Sequence, residues 1–338
     1  MPAGRKESGA HPGCRSGLVT GAAVTVAVLS YNHERFVEQC LDSVATQTLD
    51  DFETIVIDDC SNDRTVERIE RWLEKTAFPA QLLVNDRNRG VCATANRALR
   101  HGRGQFISII SADDYYESDR LGHLYQYARQ LDPSTAAVFG NSRTVDEQGR
   151  EVGLAFPSGA PPAEGHIFER LISGNFLPEP AVMTRRAAML EVGGYDEDLI
   201  YEDYDMWLKL ADRYEFRFLP DVVVNCRIVE SSLTRRPENA AALRESRARL
   251  LLKWYGKSPH TDTVILRRAW RNGLRAVVAD PVRGRRVLES VRATRSTLVR
   301  RLGVAASAAP GADKAFAGTL AVADKLRSAV RDARASNR

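Results

Sequence analysis

"VTVAVLSYNHERFVEQCLDSV", residues 24–44, changes its apolar period halfway along, and that change decides the fold. Val24, Val26 and Val28 alternate with small residues, the period-2 pattern of a buried strand. Phe36, Val37, Cys40, Leu41 and Val44 then recur at i, i+1, i+4, i+5 and i+8, which puts one apolar stripe on a helix. The same stretch also argues against a targeting signal. Arg5, Lys6 and Arg15 precede the apolar run Leu18 to Leu29, but the run alternates and no cleavage site follows it.

The unit repeats downstream. "FETIVIDD" (52–59) reads as a second strand whose exit, "CSNDRT" (60–65), offers Ser61 or Asp63 as N-cap for a helix burying Val66, Ile69, Trp72 and Leu73. "QLLVN" (81–85) is a third strand, residues 91–101 a third helix, and "QFISII" (105–110) a fourth strand. Strand and helix alternating in this way predict an α/β fold of Rossmann-like type: a mostly parallel central sheet flanked by helices. In such a sheet ligands sit at the carboxyl ends of the strands. "SYN" (30–32), "IDD" (57–59) and "SADD" (111–114) are therefore expected to gather at one edge.

Beyond Phe139 the pattern loosens. "TVDEQGREVG" (144–153) predicts a hairpin turning at Gln148–Gly149, a Pro/Gly-rich passage follows at 157–165, and helices are expected near 166–173 and from the acidic "YEDYDMW" (201–207). After residue 240 the chain reads as helical and rich in Arg and Ala. The domain boundaries expected are a disordered tail over 1–22, a main domain over 23–240 with halves at 23–140 and 141–240, and a basic helical region over 241–338.

Charge follows the same division. The net charge is only +4, yet residues 241–338 hold 22 Lys and Arg against 7 Asp and Glu, and residues 1–240 hold 26 against 37. The front is net −11 and the back +15. Within "PVRGRRVLESVRATRSTLVRRL" (281–302), Val287, Leu288, Val291, Leu298, Val299 and Leu302 keep helical spacing among the arginines. Two readings stand: a solvated helix packing its stripe on the rest of the chain or a second subunit, or a helix lying on an anionic membrane surface. Nucleic acid is not expected as a partner, because aromatic residues are nearly absent after Trp270. No run is long enough for a transmembrane helix. Cys14, Cys40, Cys60, Cys92 and Cys226 show no C-x-x-C spacing and read as reduced thiols, which suits a cytoplasmic protein.

The acids admit two readings on the residues alone. Asp114 or Ser118 caps the helix containing Leu121, Leu124 and Leu131, or Asp113 and Asp114 supply hard oxygen ligands for Mg²⁺ or Mn²⁺ with positions left for substrate phosphates. Glu202, Asp203 and Asp205 either favour the positive end of the following helix or offer a carboxylate for proton abstraction. His33 reads as a polar loop residue rather than a metal ligand, since no second ligand lies at usable spacing.

Five segments, "VAVLSYNHERFVEQCLDSVATQT", "ETIVIDDCSNDRT", "NRGVCATANRAL", "ISIISADDYY" and "GGYDEDLIYEDYDMWLKL", occur in the order and spacing of family 2 glycosyltransferases, and the chain resembles that family over about residues 23–235. The resemblance implies the GT-A fold and transfer of a sugar, with inversion, from a nucleotide-diphosphate donor, a UDP-sugar first, to an acceptor hydroxyl in a cell-surface polysaccharide or lipid-linked glycan. It implies that Tyr31 stacks on the donor base and that Asp58 bonds the uracil. Asn32, Asp59, Asn88, Gly90, Asn96 and Ser111 fall on the donor side of the matched segments, turn geometry and helix packing being the alternative for Asn88, Gly90 and Asn96. Asp113 and Asp114 hold the ribose and, through Mn²⁺ or Mg²⁺, the diphosphate. Asp203 is the implied catalytic base, with Glu202 and Arg227 near acceptor or diphosphate. Apart from the resemblance, the reduced thiols and the basic helical region lead to an expected location in the cytoplasm, peripheral on the inner membrane face.

Two positions depart from the family pattern: Ser111 stands where many relatives have an acid, and Val229 where some have a histidine that ligates metal. These departures keep open a non-catalytic nucleotide-sugar-binding or scaffold protein. A nucleotidyltransferase is disfavoured by the lack of a Gly-rich triphosphate loop near the first strand.

Overall fold

A computed structural model describes residues 22–200, 202–230 and 232–301. The first expected unit forms as β1 (Val24–Ser30) and α1 (Val37–Ala45), followed by β2 (Phe52–Asp58), α2 (Thr65–Thr76), β3 (Ala80–Val84), α3 (Val91–His101) and β4 (Phe106–Ser111). These four strands are parallel, in the order β3-β2-β1-β4. Both faces are covered, as the period-2 pattern requires. Val24, Val26 and Val28 meet Val37, Cys40, Leu41, Val44, Ile69 and Trp72 on one side. Ala27 and Leu29 meet Cys92, Ala95 and Leu99 on the other.

The second half is mixed in direction. It comprises β5 (Tyr115–Tyr116), α4 (Arg120–Ala128), β6 (Thr135–Val145), β7 (Glu151–Leu154), α5 (Phe168–Ile172), β8 (Val182–Arg185), α6 (Arg186–Glu191), α7 (Glu202–Ala211) and β9 (Glu215–Arg227). The sheet continues β4-β8-β6-β9-β5, with β8 antiparallel to both its neighbours, β9 parallel to β6, and β7 antiparallel on β6. The expected hairpin is β6–β7. Asp146 closes its turn by accepting from the Gln148 and Arg150 amides, and Gly149 takes φ 81°, a left-handed value that glycine adopts without a Cβ clash.

Neither Ser61 nor Asp63 is the N-cap of α2: that position is Arg64, without a side-chain cap, and Asp63 one residue earlier accepts from the Thr65 amide at 2.9 Å. The capping reading for α4 is not what forms. That helix starts at Arg120 behind Asp119 with no side-chain cap, ends at Ala128 short of Leu131, and leaves Asp114 bonded elsewhere.

Three helices complete the described chain: α8 (Ala240–Leu252), α9 (Pro259–Ala279) and α10 (Pro281–Arg301). Ser258 caps α9 by accepting from the Thr261 amide, ahead of Pro259 in the first turn. Val287, Leu288 and Val291 of α10 are buried against Ala248, Ala269 and Val277, so this part of the apolar stripe packs on the chain itself. The side chains of Leu298 and Val299, Leu302 and the expected tail over residues 1–21 lie outside the described residues. The helices are fastened to the sheet side by Ile200 N donating to Ser246 Oγ (2.9 Å) and by Lys253 Nζ, which pairs with both Asp205 and Asp196.

Candidate active site

Register brings the expected strand ends level: Ser30 pairs with Asp58 across β1–β2, and Leu29 with Ser111 across β1–β4. At the centre of this edge Asp58 is fully buried. One of its oxygens accepts from Ser30 Oγ (2.7 Å) and Ser61 Oγ (2.6 Å), the other from the Ser61 amide (2.7 Å). Asn32 clamps the same two loops: its amide donates to Ser61 Oγ, and its Oδ1 accepts from the Asn62 amide, both at 2.8 Å. This holds Asn32 at φ 58° and leaves the neighbouring Tyr31 ring 36% exposed at the rim.

Asp59 organises the next loop. Its carboxylate accepts from Asn85 Nδ2 (2.7 Å) and from the amides of Arg89 and Gly90 (both 2.8 Å), while Asn88 Oδ1 also takes the Gly90 amide (3.1 Å). Gly90, at φ 83°, precedes α3.

The "SADD" turn follows β4. The Asp114 amide donates to Ser111 O (3.0 Å). The Asp114 carboxylate accepts from the Arg227 amide (2.7 Å). Burial pushes the Asp114 carboxyl well up from its ordinary range, and the Asp113 charge pushes the same way. The Arg227 amide and guanidinium oppose both. Arg227 braces the turn from β9: its guanidinium donates to Asp113 O, Asp146 O, Glu147 O and Gln39 Oε1 and lies over Phe36 at 4.7 Å. Asp113 differs from its neighbour. Its side chain is 14% exposed and lies 4.0 Å from His33 Nε2, whose ring Nδ1 is buried with no hydrogen-bond partner among the described residues.

The described residues contain no cluster of three or more His, Cys, Asp or Glu able to hold a metal ion. The two adjacent carboxylates still fit a divalent cation of the Mg²⁺ or Mn²⁺ kind. Such ions take oxygen ligands, are held by one or two protein carboxylates, and draw the remainder from substrate phosphates and water. Asp113, with no hydrogen bond to its carboxylate among the described residues, is the ligand left free, and Asp114 keeps one oxygen beside it.

Asp203, in the first turn of α7, reaches the same edge through two separate tethers. Its Oδ2 accepts from Asn175 Nδ2 at 2.8 Å. Asn175 lies seven residues before β8, whose first residue accepts from Ser108 Oγ in the middle of β4. On the other side, Cys92 at the start of α3 bonds Leu199 O through sulfur (3.0 Å). Asn96 grips the "GGYDE" turn, with Nδ2 donating to Tyr195 O and Glu197 Oε1 and Oδ1 accepting from the Tyr195 amide. Gly194 in that turn has φ 70°, and a Cβ there would stand 2.7 Å from Asn96 Oδ1. Asn96 thus ties α3 to the segment leading into α7. The Glu202 side chain lies outside the described residues.

Burial pushes the Asp203 carboxyl above its ordinary range. The Tyr204 amide (2.6 Å from Oδ1), the Asn175 amide and the charge of Arg247 hold it back. A carboxylate with a raised proton affinity, at the same edge as an adjacent pair of acids, can accept a proton from a hydroxyl. Neither Asn175 nor Arg247 was expected from sequence. Asn175 stands in "SGNFLPEP", which reads as a turn, and Arg247 is one arginine among many.

A model of the family described as Glycosyl transferase family 2 matches residues 25–193. A chondroitin synthase of Escherichia coli is 26% identical over 248 residues, 71% of this chain and 34% of the synthase, so the chain spans about a third of that relative's length. Among solved structures, S. aureus TarS 1–349 in complex with UDP-GlcNAc aligns with a TM-score of 0.58 at 18% identity, covering 83% of this chain and 92% of TarS 1–349. The mannosyltransferase PcManGT from Pyrobaculum calidifontis, in complex with GDP-Man and Mn²⁺, aligns with a TM-score of 0.54 at 20% identity, covering 91% and 81%.

Proposed function

The chain belongs to glycosyl transferase family 2 and has the GT-A fold, and from that premise we propose that it moves a sugar from a UDP-sugar to an acceptor hydroxyl, with inversion, in the synthesis of a cell-surface polysaccharide or a lipid-linked glycan. The observation that carries this reading is the double tether of Asp203, through Asn175 and through the contacts of α3 with residues 195–199, to the edge that holds Asp58, Asp113 and Asp114. The TarS neighbour, solved with UDP-GlcNAc, supports UDP as the first donor to try.

In this reading Tyr31 stacks on the base, and Asp58, with Asn32, Asp59, Asn88, Gly90, Asn96 and Ser111, shapes the donor pocket. Buried Asp58 does so through the loops it fixes. Asp113 and Asp114 hold the divalent ion, Mn²⁺ or Mg²⁺, which when bound offsets the negative charge of the donor diphosphate. Asp203 takes the acceptor's hydroxyl proton as that oxygen bonds to the anomeric carbon. The bond from that carbon to the diphosphate breaks, and its electron pair leaves with the nucleoside diphosphate. Attack opposite the leaving group inverts the anomeric centre. Arg227 keeps the acidic turn in place, and Glu202 stands next to the base in sequence.

A panel of UDP-, GDP- and dTDP-sugars with Mn²⁺ tests the reading. Slow release of nucleoside diphosphate from one donor in the absence of acceptor is expected. Absence of binding by every nucleotide defeats the reading, and binding without turnover on any acceptor favours a scaffold protein.

No helix among the described residues is long and apolar enough to cross a membrane. A peripheral position on the cytoplasmic membrane face is supported by the turn between α9 and α10, where Val278 (81% exposed) and Val282 (63%) project beside exposed Arg275, Arg283 and Arg286. Basic residues near an anionic surface contribute about 1 kcal/mol each. The protein is expected to co-sediment with phosphatidylglycerol-containing vesicles at low salt and to leave them at about 0.5 M salt, where the Debye length is short. Equal sedimentation with neutral phosphatidylcholine vesicles would remove the electrostatic account.

A further inference from the structure

Three helices bring positive charge to the acceptor side of Asp203. Arg170 projects from α5, and its Nη1 donates to Gly174 O (3.3 Å) while the guanidinium lies over the Phe176 ring at 4.7 Å. Arg268 of α9 donates through Nη1 to Ile172 O (2.6 Å) and to the Tyr204 hydroxyl (3.2 Å). Arg247 of α8 is near enough for its charge to act on both Asp203 and Tyr204. Arg170 and Arg268 converge on Gly174, the residue before Asn175. A Cβ built on Gly174 would stand 3.7 Å from Arg268 Nη1, 4.0 Å from Arg268 Nη2 and 4.0 Å from Arg170 Nη1. Asn175, the next residue, is exposed and donates to Asp203.

Hydrogen bonding inside the protein does not exhaust these groups. A guanidinium carries five N–H donors in a fixed fork, and the contacts above use only Nη1 of Arg170 and of Arg268. Among the described residues neither arginine forms an ion pair with a carboxylate. Each is held at one nitrogen, and both forks lie against Gly174, next in sequence to the residue that donates to Asp203. Fixed guanidinium forks of this kind match the planar or tetrahedral oxygens of carboxylate and phosphate. Arg268 also lies beyond residues 25–193, the part matched by the family model.

We propose that Arg170 and Arg268 form an anion-binding subsite next to Asp203 that takes a carboxylate or phosphate of the acceptor, and hence that the acceptor is an acidic glycan. This rests on Asp203 facing the acceptor. The subsite places the anionic group of the acceptor near the hydroxyl that loses its proton. It also offsets the repulsion between an acidic acceptor and the Asp203 carboxylate.

The test is isothermal titration of the full-length protein, loaded with UDP and Mn²⁺, with a glucuronate-containing disaccharide, its neutral glucose counterpart, and glycerol phosphate. At least one acidic probe should bind about tenfold or more tightly than the neutral sugar, the size of a charge-assisted hydrogen bond. The glucuronate and glycerol phosphate arms tell carboxylate from phosphate. Arg170→Gln, at an exposed position, should erase most of that preference without lowering the melting midpoint, Arg268→Lys should erase it as well, and raising the salt should weaken acidic probes only. Equal binding of acidic and neutral probes, or a preference that survives both variants, overturns the subsite. Failure of the wild-type protein to bind UDP strikes the donor reading instead, and the same titration without nucleotide then decides the arginine site separately.

Discussion

Asp203→Asn is expected to lower turnover by about 10²–10⁴-fold, the range for loss of a positioned general base, while donor affinity stays as in the unaltered protein. The exchange keeps size and removes the charge and the proton-accepting oxygen. It has a local consequence too. The Tyr204 amide needs an oxygen at the Oδ1 position, which turns the new NH₂ toward Asn175 Nδ2, so two donors face each other. Asp203→Ala avoids that conflict, and both variants should lose the same rate if proton transfer is what is missing. Donor affinity is measured by nucleotide titration and turnover by nucleoside diphosphate release with acceptor; equal loss in both would shift Asp203 from base to donor ligand.

The pH dependence carries a definite sign. Burial raises the Asp203 carboxyl above the ordinary aspartate value of about 3.9. Such a group stays protonated to higher pH than a surface aspartate, so kcat/KM rises with pH through the raised value and the acidic limb lies above the usual carboxylate range. Asn175→Ala removes a hydrogen bond that favours the ionised form and should move the limb further toward neutral pH.

The strand ends were legible because their signals are local. Alternating valines, the change to helical spacing after residue 35 and the position of α3 at 91–101 each depend on neighbours a few residues away. Side chains acting across the chain left no such mark. Asn96 and Asp59 fall in donor-side segments by resemblance, yet in the structure their polar atoms are taken up by the 195–197 turn and the 85–90 loop. Arg120, not singled out from the sequence, is fully buried, donating to Ser108 Oγ and Pro180 O. The arginines of α8 to α10 look alike in sequence. Only the packing of α9 on α5 separates Arg268, at the site, from Arg275 at the far end of the same helix.

Asp113→Ala separates the two roles open to an acid pair. If Asp113 holds the divalent ion, the alanine variant should lose the stabilisation that Mn²⁺ with UDP gives the unaltered protein, since a ligand that binds only the folded state raises its melting midpoint by mass action. Turnover should fall by about 10²–10³-fold, corresponding to several kcal/mol of charge stabilisation withdrawn from the departing diphosphate. Without metal the variant should melt no lower than the unaltered protein, because the charge removed is one that pushes against buried Asp114. A structural acid would behave in the opposite way: its removal would lower the metal-free midpoint and leave the Mn²⁺ response intact. Asp114→Ala supplies the contrast. It deletes the acceptor of the Arg227 amide and loosens the turn that Arg227 braces, so it should lower the metal-free midpoint as well as the metal response. If Asp113→Ala keeps the full Mn²⁺ shift, the ion is not held at residue 113, and the metal role falls to Asp114 or leaves this turn altogether.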